Sequence, residues 1–212
     1  MQEPIKIQIR SWSHLAIAEL QDEVVRIIFD NIHAVLHGGT AIWRCYNGKR
    51  FSEDIDIYIS KQSYIDKAVD RIAMSGLRIT FNRKRRGAVY YDVFGGSTRV
   101  SLQIKIAKKK GVLVSYEMLN GVKIEIYSLS PEDLITEKME AYADRLLIRD
   151  MYDIMILTKH VSEKKNIVGA VNAFLSEIKK PKDESVLKDL VYAGVIPSFS
   201  DVVSYLNSWC RS

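Results

Sequence analysis

Residues Leu36–Ile59 read LHGGTAIWRCYNGKRFSEDIDIYI and combine a glycine turn with a pair of aspartates. The apolar residues before Gly38-Gly39-Thr40 predict a short buried strand that ends at the glycines, and a short helix over residues 40–46 follows. Backbone N–H groups at such a turn can approach phosphate oxygens closely, and a helix that starts there adds its positive dipole end. We therefore expect Gly38, Gly39 and Thr40 to bind the phosphates of a nucleotide.

Asp54 and Asp56 follow the glycine turn in a segment with strand-like alternation. Since side chains alternate between the two faces of a strand, both carboxylates should lie on the same face. Two carboxylates this close are costly unless a cation lies between them, and Mg²⁺, or Mn²⁺ in its place, takes oxygen ligands and substrate phosphates. We call the predicted phosphate-binding turn Gly38-Gly39-Thr40 the phosphate cradle. Together with this cradle, the pair predicts metal-assisted transfer onto or from a nucleotide.

The order Gly-Gly, spacer, Asp-x-Asp resembles the nucleotidyltransferases of the DNA polymerase beta superfamily. Within it, HGGTAIWRCY followed by RFSEDIDIYI is most similar to the AbiEii/AbiGii toxin family of type IV toxin–antitoxin and phage-defence systems. The resemblance implies Mg²⁺-dependent transfer of a nucleoside monophosphate from an NTP to an acceptor, with release of pyrophosphate. It also implies that the acceptor is the 3′ end of a tRNA and that the partner protein is a cognate antitoxin.

A second group of charged residues lies in the helical half of the chain. Asp150 and Asp153 are three positions apart and share a helix face, and Lys138 precedes them in the segment TEKMEAYADRLLIRDMYD. This segment resembles the later motifs of the family, which implies that Lys138 contacts the nucleotide phosphates. It also implies that Asp153, or as second choice Asp150, orients or deprotonates the acceptor. Neither Asp54 nor Lys138 is expected in the apolar core, so alanine at either position should abolish transfer and leave the fold intact.

The chain departs from the superfamily at a third acidic position. These enzymes usually carry a third carboxylate on a later strand, facing the aspartate pair. The comparable segment here, SLQIKI, has Gln103 or Lys105 at that place, and Asp92 and Glu125 on other strands are possible substitutes. Either the third ligand comes from elsewhere or the site holds one metal ion.

Several other polar residues have two interpretations from sequence. Arg44 could point toward phosphate or toward solvent, and His37 could touch the nucleotide or pack against the backbone. The basic segment 47–52 could lie beside a triphosphate or RNA, or form a solvated hairpin tip. The basic runs 83–86 and 108–110 could form an RNA-binding rim or simply solubilise turns.

Composition is that of a soluble globular protein. The 212 residues are 47% hydrophobic and 27% charged, and no apolar run approaches the length of a membrane span. No apolar signal core occurs near the N-terminus, so a cytoplasmic location is expected. The net charge of +5 suits an acidic partner such as nucleic acid, but also a solvated basic surface. The two cysteines lie outside any CxxC pair and predict neither a zinc site nor a disulfide framework.

The predicted architecture is α/β, with a mixed sheet, flanking helices and a helical C-terminal domain. Early helices are expected over 13–31 and 62–75, and five strand-like runs follow up to residue 127. Ser130-Pro131 predicts a helix start, with a break near Ile148. We therefore expect a nucleotidyltransferase domain over residues 1–127 and a helical domain over 128–212. Further helices are expected over 163–179, 184–193 and 200–210.

Two other functions are compatible with these patterns. One is a nucleotidyltransferase that adenylylates a protein partner, although such proteins are typically near half this length. The other is a catalytically weak nucleotide- or RNA-binding module, which the missing third acid would permit.

Overall fold

The computed structural model describes residues 4–85 and 87–212. These residues form seven strands and nine α-helices. The strands are β1 Ala34–His37, β2 Asp54–Ile59, β3 Arg78–Arg85, β4 Ala88–Gly95, β5 Thr98–Ile106, β6 Val112–Glu117 and β7 Lys123–Ser128. The helices are α1 Ile5–Gln8, α2 Trp12–Asn31, α3 Gly38–Cys45, α4 Ser63–Met74, α5 Pro131–Arg145, α6 Ile148–Leu157, α7 Val168–Ser176, α8 Leu187–Leu190 and α9 Phe199–Arg211.

The seven strands form one mixed sheet in the order β3-β4-β5-β2-β1-β7-β6. The pairs β2–β5 and β1–β7 are parallel, and the other neighbours are antiparallel. The prediction of an α/β fold with a mixed sheet, flanking helices and C-terminal helices is confirmed. In the part of the chain described, no helix is both long and apolar enough to cross a membrane.

One face of the sheet is packed into the core. Alternate residues of β5, Val100, Leu102 and Ile104, are buried there, and α2 lies against this strand. Helix α2 begins directly after Ser11, whose hydroxyl accepts a hydrogen bond from the His14 N–H. The other face of the central strands is left for polar side chains, because side chains alternate along each strand.

The chain divides into two compact units. The first comprises residues up to Cys45 together with Phe51–Leu129, and the second comprises Tyr46–Arg50 together with Ser130–Ser212. The short segment Tyr46–Arg50, which lies between α3 and β2 in the sequence, therefore belongs to the second unit. Within the second unit, Arg50 forms an antiparallel bridge with Val191.

Helices of the second unit start and stop at recognisable signals. Helix α5 begins after Ser130, whose hydroxyl accepts from the Asp133 N–H, with Pro131 in the first turn. It ends at Leu146, which has a left-handed φ of 55°, and α6 starts at Ile148. The predicted helix start and the predicted break are thus both present. The segments expected as helices over 163–179 and 184–193 are shorter and partly 3₁₀.

Candidate active site

The two aspartates of β2 lie on the polar face of the sheet. Ile55 and Ile57 alternate with them and are wholly buried, whereas Asp54 is exposed and Asp56 is half-buried. The register pairs Asp56 with His37 of β1 on one side. Strand alternation therefore brings the two carboxylates to one face, beside the end of β1 at which α3 begins.

Gly38 joins this carboxylate pair to the start of α3. Its φ is +72°, a conformation that L side chains rarely adopt, and a Cβ atom placed on it would overlap the Asp56 carboxylate. The backbone that opens α3 and the Asp56 side chain are thus in van der Waals contact. This close approach of the start of α3 to the Asp56 carboxylate requires glycine.

We expect Gly38→Ala to weaken the transfer activity predicted from the sequence, because the added methyl group displaces the Asp56 carboxylate. Gly96→Ala is the matched control, because Gly96 also has a left-handed φ (+59°) but has nothing within 4 Å of an added Cβ. Both variants should lose about 1 kcal/mol of unfolding free energy from backbone strain. Nucleotidyl transfer should fall by about 100-fold in Gly38→Ala alone. Equal transfer rates in the two variants would show that the contact with Asp56 has no functional role.

Thr40 uses its hydroxyl inside the fold. The side chain is fully buried and donates a hydrogen bond to the main-chain carbonyl of Asp54. This bond ties α3 to the first residue of β2. Any contact between Thr40 and a phosphate would therefore have to come from its main-chain N–H, and its hydroxyl serves to fix the distance between the cradle and the aspartate pair.

Arg44 takes neither of the directions expected from sequence. It is 2% exposed, forms a 3.0 Å ion pair with Asp22, and donates to the carbonyl oxygens of Ala18 and Glu117. Its guanidinium also lies 4.0 Å from the ring centroid of Trp43. Arg44 therefore anchors α3 within the first unit, and its predicted nucleotide contact receives no support from this geometry.

Asp22, the partner of Arg44, is itself buried and accepts further hydrogen bonds. It accepts hydrogen bonds from the Tyr116 hydroxyl at 2.9 Å and from the Leu119 N–H at 2.6 Å. Burial raises the pKa of the Asp22 carboxyl above its ordinary value, although the Arg44 charge acts in the opposite direction. The contacts of Asp22 and Arg44 thus link α2, α3 and β6, and so fix the helix that follows the phosphate cradle.

The strand beside the aspartate pair carries no acid in the matching rows. Asp54 pairs with Ser101 and Asp56 pairs with Gln103, while Lys105 lies one row further along. Among the described residues, no group of three or more histidine, cysteine, aspartate or glutamate side chains is arranged to hold a metal ion. The position beside Asp56, where the resemblance implies a third acid, thus carries the amide of Gln103.

The two substitutes considered from sequence differ in position. Asp92 of β4 pairs with Ser101 and so lies in the row of Asp54, but its carboxylate accepts from Asn82 at 2.9 Å and Arg99 at 3.1 Å. Glu125 lines a cavity with His33, at the end of β1 away from the aspartate pair. Glu125 is therefore excluded as the third ligand.

Mg²⁺ can be accommodated by the remaining donors. Asp54 and Asp56 supply carboxylate oxygens on one face, and the Asp56 carboxylate lies against the backbone of Gly38 at the start of α3. Protein sites for Mg²⁺ commonly use one or two carboxylates and take the other oxygens from substrate phosphates and water. This donor set fits such a metal.

His37 packs within the sheet beside this site. It is buried, and its ring stacks on Tyr58 with a centroid distance of 3.9 Å. Tyr58 follows Asp56 on the same face of β2, so the ring pair forms the floor next to the carboxylates. His37 is thus packed against a neighbouring ring, and its possible contact with the nucleotide stays a prediction.

The second unit contains a cluster of five charged residues, four of them buried, which we call the ion cluster. Asp153 accepts two 2.6 Å hydrogen bonds from Arg50 and forms a 2.7 Å ion pair with Lys138. Asp150 accepts two bonds from Arg145, at 2.7 and 2.8 Å, and lies 3.5 Å from Lys138. The ion cluster thus has three cationic and two anionic side chains, bridged by Lys138.

Lys138 and Arg50 are both more buried than expected from the sequence. Lys138 is only 6% exposed and bonds two fully buried carboxylates, so its removal is expected to disturb the fold. Arg50 is 4% exposed and holds Asp153, so it does not lie at a solvated hairpin tip. Arg50 is a residue that sequence reasoning missed, and its only local signal was its place two residues before Ser52-Glu53-Asp54.

The ionisation of Asp153 follows from its two partners. Burial alone would raise the pKa of this carboxyl, but the charges of Arg50 and Lys138 outweigh that effect and hold the pKa below its ordinary value. A carboxylate with a depressed pKa is a poor proton acceptor. Asp153 is therefore better suited to hold Arg50 and Lys138 in place than to deprotonate an acceptor.

The same pKa shift predicts how stability depends on pH. Because the folded pKa of Asp153 lies below the unfolded value, its ionised form stabilises the fold at every pH above about 4. This contribution should disappear as the pH falls from about 4 through the folded pKa. Urea unfolding should therefore show wild type losing more stability on acidification than Asp153→Asn. A constant gap between the two curves would argue against an ionised Asp153.

Comparisons with known proteins agree with this architecture. The model of the family described as nucleotidyl transferase AbiEii toxin, type IV TA system, matches residues 25–197. The solved structure of MenT4, a nucleotidyltransferase toxin from Mycobacterium tuberculosis H37Rv, is similar with a TM-score of 0.65 and 14% identity, over 93% of this chain and 82% of that one. JHP933 from Helicobacter pylori gives a TM-score of 0.63 and 19% identity, over 96% and 92% of the two chains. A search of curated proteins found no match. At these identities, the likeness to solved structures shows the fold.

Proposed function

The chain belongs to the AbiEii family of nucleotidyltransferase toxins and is therefore a transferase, and we propose that its acceptor is the 3′ end of a tRNA. The proposed reaction moves a nucleoside monophosphate from an NTP to the acceptor hydroxyl and releases pyrophosphate. We propose that the chain acts in the cytoplasm as the toxin of a type IV system, with a cognate antitoxin protein. The net charge of +5 supports a polyanionic acceptor.

The observation that carries this proposal is the contact between Gly38 and the Asp56 carboxylate. It sets the start of an eight-residue helix directly beside a pair of carboxylates on one strand face. The helix start offers N–H donors to the outer phosphates of a triphosphate, and the carboxylates offer oxygen ligands next to the phosphate that reacts. One bound nucleotide can thus use both features at once.

Each residue of the first unit has a distinct proposed role. Gly38 and Gly39 donate main-chain N–H groups to the β- and γ-phosphates, and the Thr40 hydroxyl keeps this turn at a fixed distance from β2. Asp54 and Asp56 would hold Mg²⁺ or Mn²⁺. When bound, the metal ion neutralises charge that develops on the phosphates. Transfer of this kind depends mostly on positioning and charge neutralisation, which these residues provide.

We propose a separate role for Lys138 in supplying positive charge to the triphosphate. The ion cluster carries one positive charge more than it has carboxylates, so it can attract a polyanion although each carboxylate is paired. Asp153 and Asp150 would then act as positioning residues that fix the Lys138 ammonium. Their paired state argues against either one as the group that deprotonates the acceptor.

A single labelling experiment tests the acceptor. Purified protein is incubated with α-³²P-labelled NTPs, Mg²⁺, total tRNA and the proteins that co-purify with it. Label on tRNA that disappears in Asp56→Ala supports the proposal. Label on a co-purifying protein would favour protein adenylylation instead. Measurable NTP binding without any transfer would favour the nucleotide-binding module, which the amide at the third acidic position makes a real alternative.

A further inference from the structure

We propose that the polar face of β5, β4 and β3 is the platform on which the end of a single-stranded nucleic acid lies when it accepts the nucleotide. The inference rests on the proposed nucleotidyl transfer and adds to it the surface that recognises the acceptor. It concerns the first unit alone. We call this surface the acceptor platform and define it by Gln103 and Lys105 of β5, Tyr90 of β4, and Arg83 and Arg85 of β3.

The order of the strands gives the direction of approach. The phosphate cradle opens α3 directly after β1, and β1 flanks β2 on one side while β5 flanks it on the other. In nucleotidyl transfer, the acceptor oxygen bonds to the α-phosphorus as the bond to the pyrophosphate oxygen breaks, and the acceptor hydroxyl releases its proton to water. The attacking and leaving oxygens lie roughly in line. If the leaving pyrophosphate lies on the β1 side, the acceptor must approach from the β5 side.

The strand register continues the polar face of β2 onto this side, and a register shift in β3 between Phe81 and Arg83 leaves Arg83 paired with Tyr90. Asp56 pairs with Gln103, Gln103 pairs with Tyr90, and Tyr90 pairs with Arg83. Since paired residues of neighbouring strands point to the same face, these four side chains form one row across four strands. The row runs from the aspartate pair to the edge of the sheet.

A second row supplies further positive charge. Tyr58, two residues after Asp56, pairs with Lys105, and Lys105 is joined through Ala88 to Arg85. Lys105, Arg83 and Arg85 are all exposed. These cations can meet the phosphates of a nucleic-acid backbone, and neutralisation of phosphates by lysine and arginine supplies most of the affinity in such complexes.

Aromatic rings lie among the cations of this face. The Arg83 guanidinium is 4.7 Å from the ring centroid of Tyr90, and the Arg78 guanidinium is 3.9 Å from that of Phe94 in the paired position. A groove with cations and stacking rings is the usual means of binding single-stranded nucleic acid with little sequence preference. The rings give nucleobases a surface on which to stack.

The acid near the platform is already compensated. Asp92 accepts from Arg99 and Asn82, so its charge does not oppose a phosphate at full strength. The exposed ring of Phe81 lies on the other face, since Phe81 pairs with Tyr91 and Tyr91 with buried Leu102. The platform thus lacks the apolar centre that distinguishes a protein-docking surface. These features favour a nucleic acid over a protein as the molecule that lies here.

Strand β3 itself provides a matched pair of variants. Arg83 belongs to the platform, whereas the adjacent Lys84 pairs with Val89 and points to the other face. Arg83→Glu and Lys84→Glu change the net charge equally, on one exposed edge strand. Fluorescence anisotropy of a labelled single-stranded RNA oligonucleotide should be measured over a range of salt concentrations, together with label transfer from α-³²P NTP to tRNA.

We expect Arg83→Glu to bind the RNA about 10-fold more weakly and to reduce the slope of log K against log salt by about 0.7, while Lys84→Glu stays within about twofold of wild type. The platform would be overturned if both variants lost RNA affinity equally. It would also be overturned if Arg83→Glu lost no RNA affinity while wild type transferred label to tRNA. Either result would leave the transfer reaction intact. Wild type that binds the RNA but labels no tRNA would contradict the proposed function instead. The platform would also be overturned if wild type labels a protein acceptor and Arg83→Glu loses that label while it binds the RNA as tightly as wild type.

Discussion

Asp56→Asn is expected to reduce nucleotidyl transfer by about 1,000-fold or more, because it removes a carboxylate that would hold the metal ion beside the phosphate cradle. Asparagine keeps nearly the same shape and remains able to accept a hydrogen bond. Asp56 is only half-buried, so the free energy of unfolding should change little. Transfer is measured with α-labelled NTP, and stability is measured by urea unfolding of the same preparations.

The matched control for this substitution is Asp92→Asn. Asp92 lies on the same face of the sheet, in the row of Asp54 but two strands away, and bonds Asn82 and Arg99. If it served as the third metal ligand, its amide variant would be as inactive as Asp56→Asn. We expect Asp92→Asn to keep most of its activity. Comparable loss in both variants would assign Asp92 the missing third position.

Arg50→Met is expected to destabilise the protein by about 3–5 kcal/mol, because it removes one partner of a fully buried ion pair. Asp153 would keep only Lys138, at the cost of leaving part of a buried carboxylate without hydrogen bonds. Arg145→Met is the control, since the Arg145 side chain is 38% exposed and its partner Asp150 retains Lys138. Urea denaturation should show a clearly smaller loss for Arg145→Met.

A double variant separates a structural role of Arg50 from a role in transfer. Arg50→Met combined with Asp153→Leu removes both charges of the pair and should recover part of the lost stability, while Lys138 keeps Asp150 as its partner. If the recovered protein remains inactive, the pair is needed to hold Lys138 for transfer as well as to hold the fold. Arg50→Met with wild-type stability would contradict the buried pair itself.

The features that could be predicted from sequence are those set by neighbours in the chain. The common face of Asp54 and Asp56 follows from strand alternation, and the start of α5 follows from Ser130-Pro131. The mixed sheet follows from alternating runs separated by turn residues. Each of these signals is complete within a few residues.

The features that could not be predicted depend on distant partners. Arg44 pairs with Asp22, which lies in the preceding helix, and Arg50 pairs with Asp153, which follows it by 103 residues. A basic residue beside a phosphate-binding motif suggests a ligand contact, but it can instead pair with a buried carboxylate elsewhere in the chain. Likewise, the place of Glu125 became clear only from the cavity that it lines with His33, away from the aspartate pair.

Transfer of the nucleotidyl group itself is tested most directly by the position of the label in the NTP. Wild type and Asp56→Asn are incubated with tRNA, Mg²⁺ and each NTP labelled at either the α- or the γ-phosphate, and the tRNA is then digested from its 3′ end. Wild type should place α-label, and no γ-label, on the terminal nucleotide, and Asp56→Asn should place neither. Label on tRNA from the γ-phosphate, or α-label that persists in Asp56→Asn, would contradict transfer of a nucleoside monophosphate at this aspartate pair.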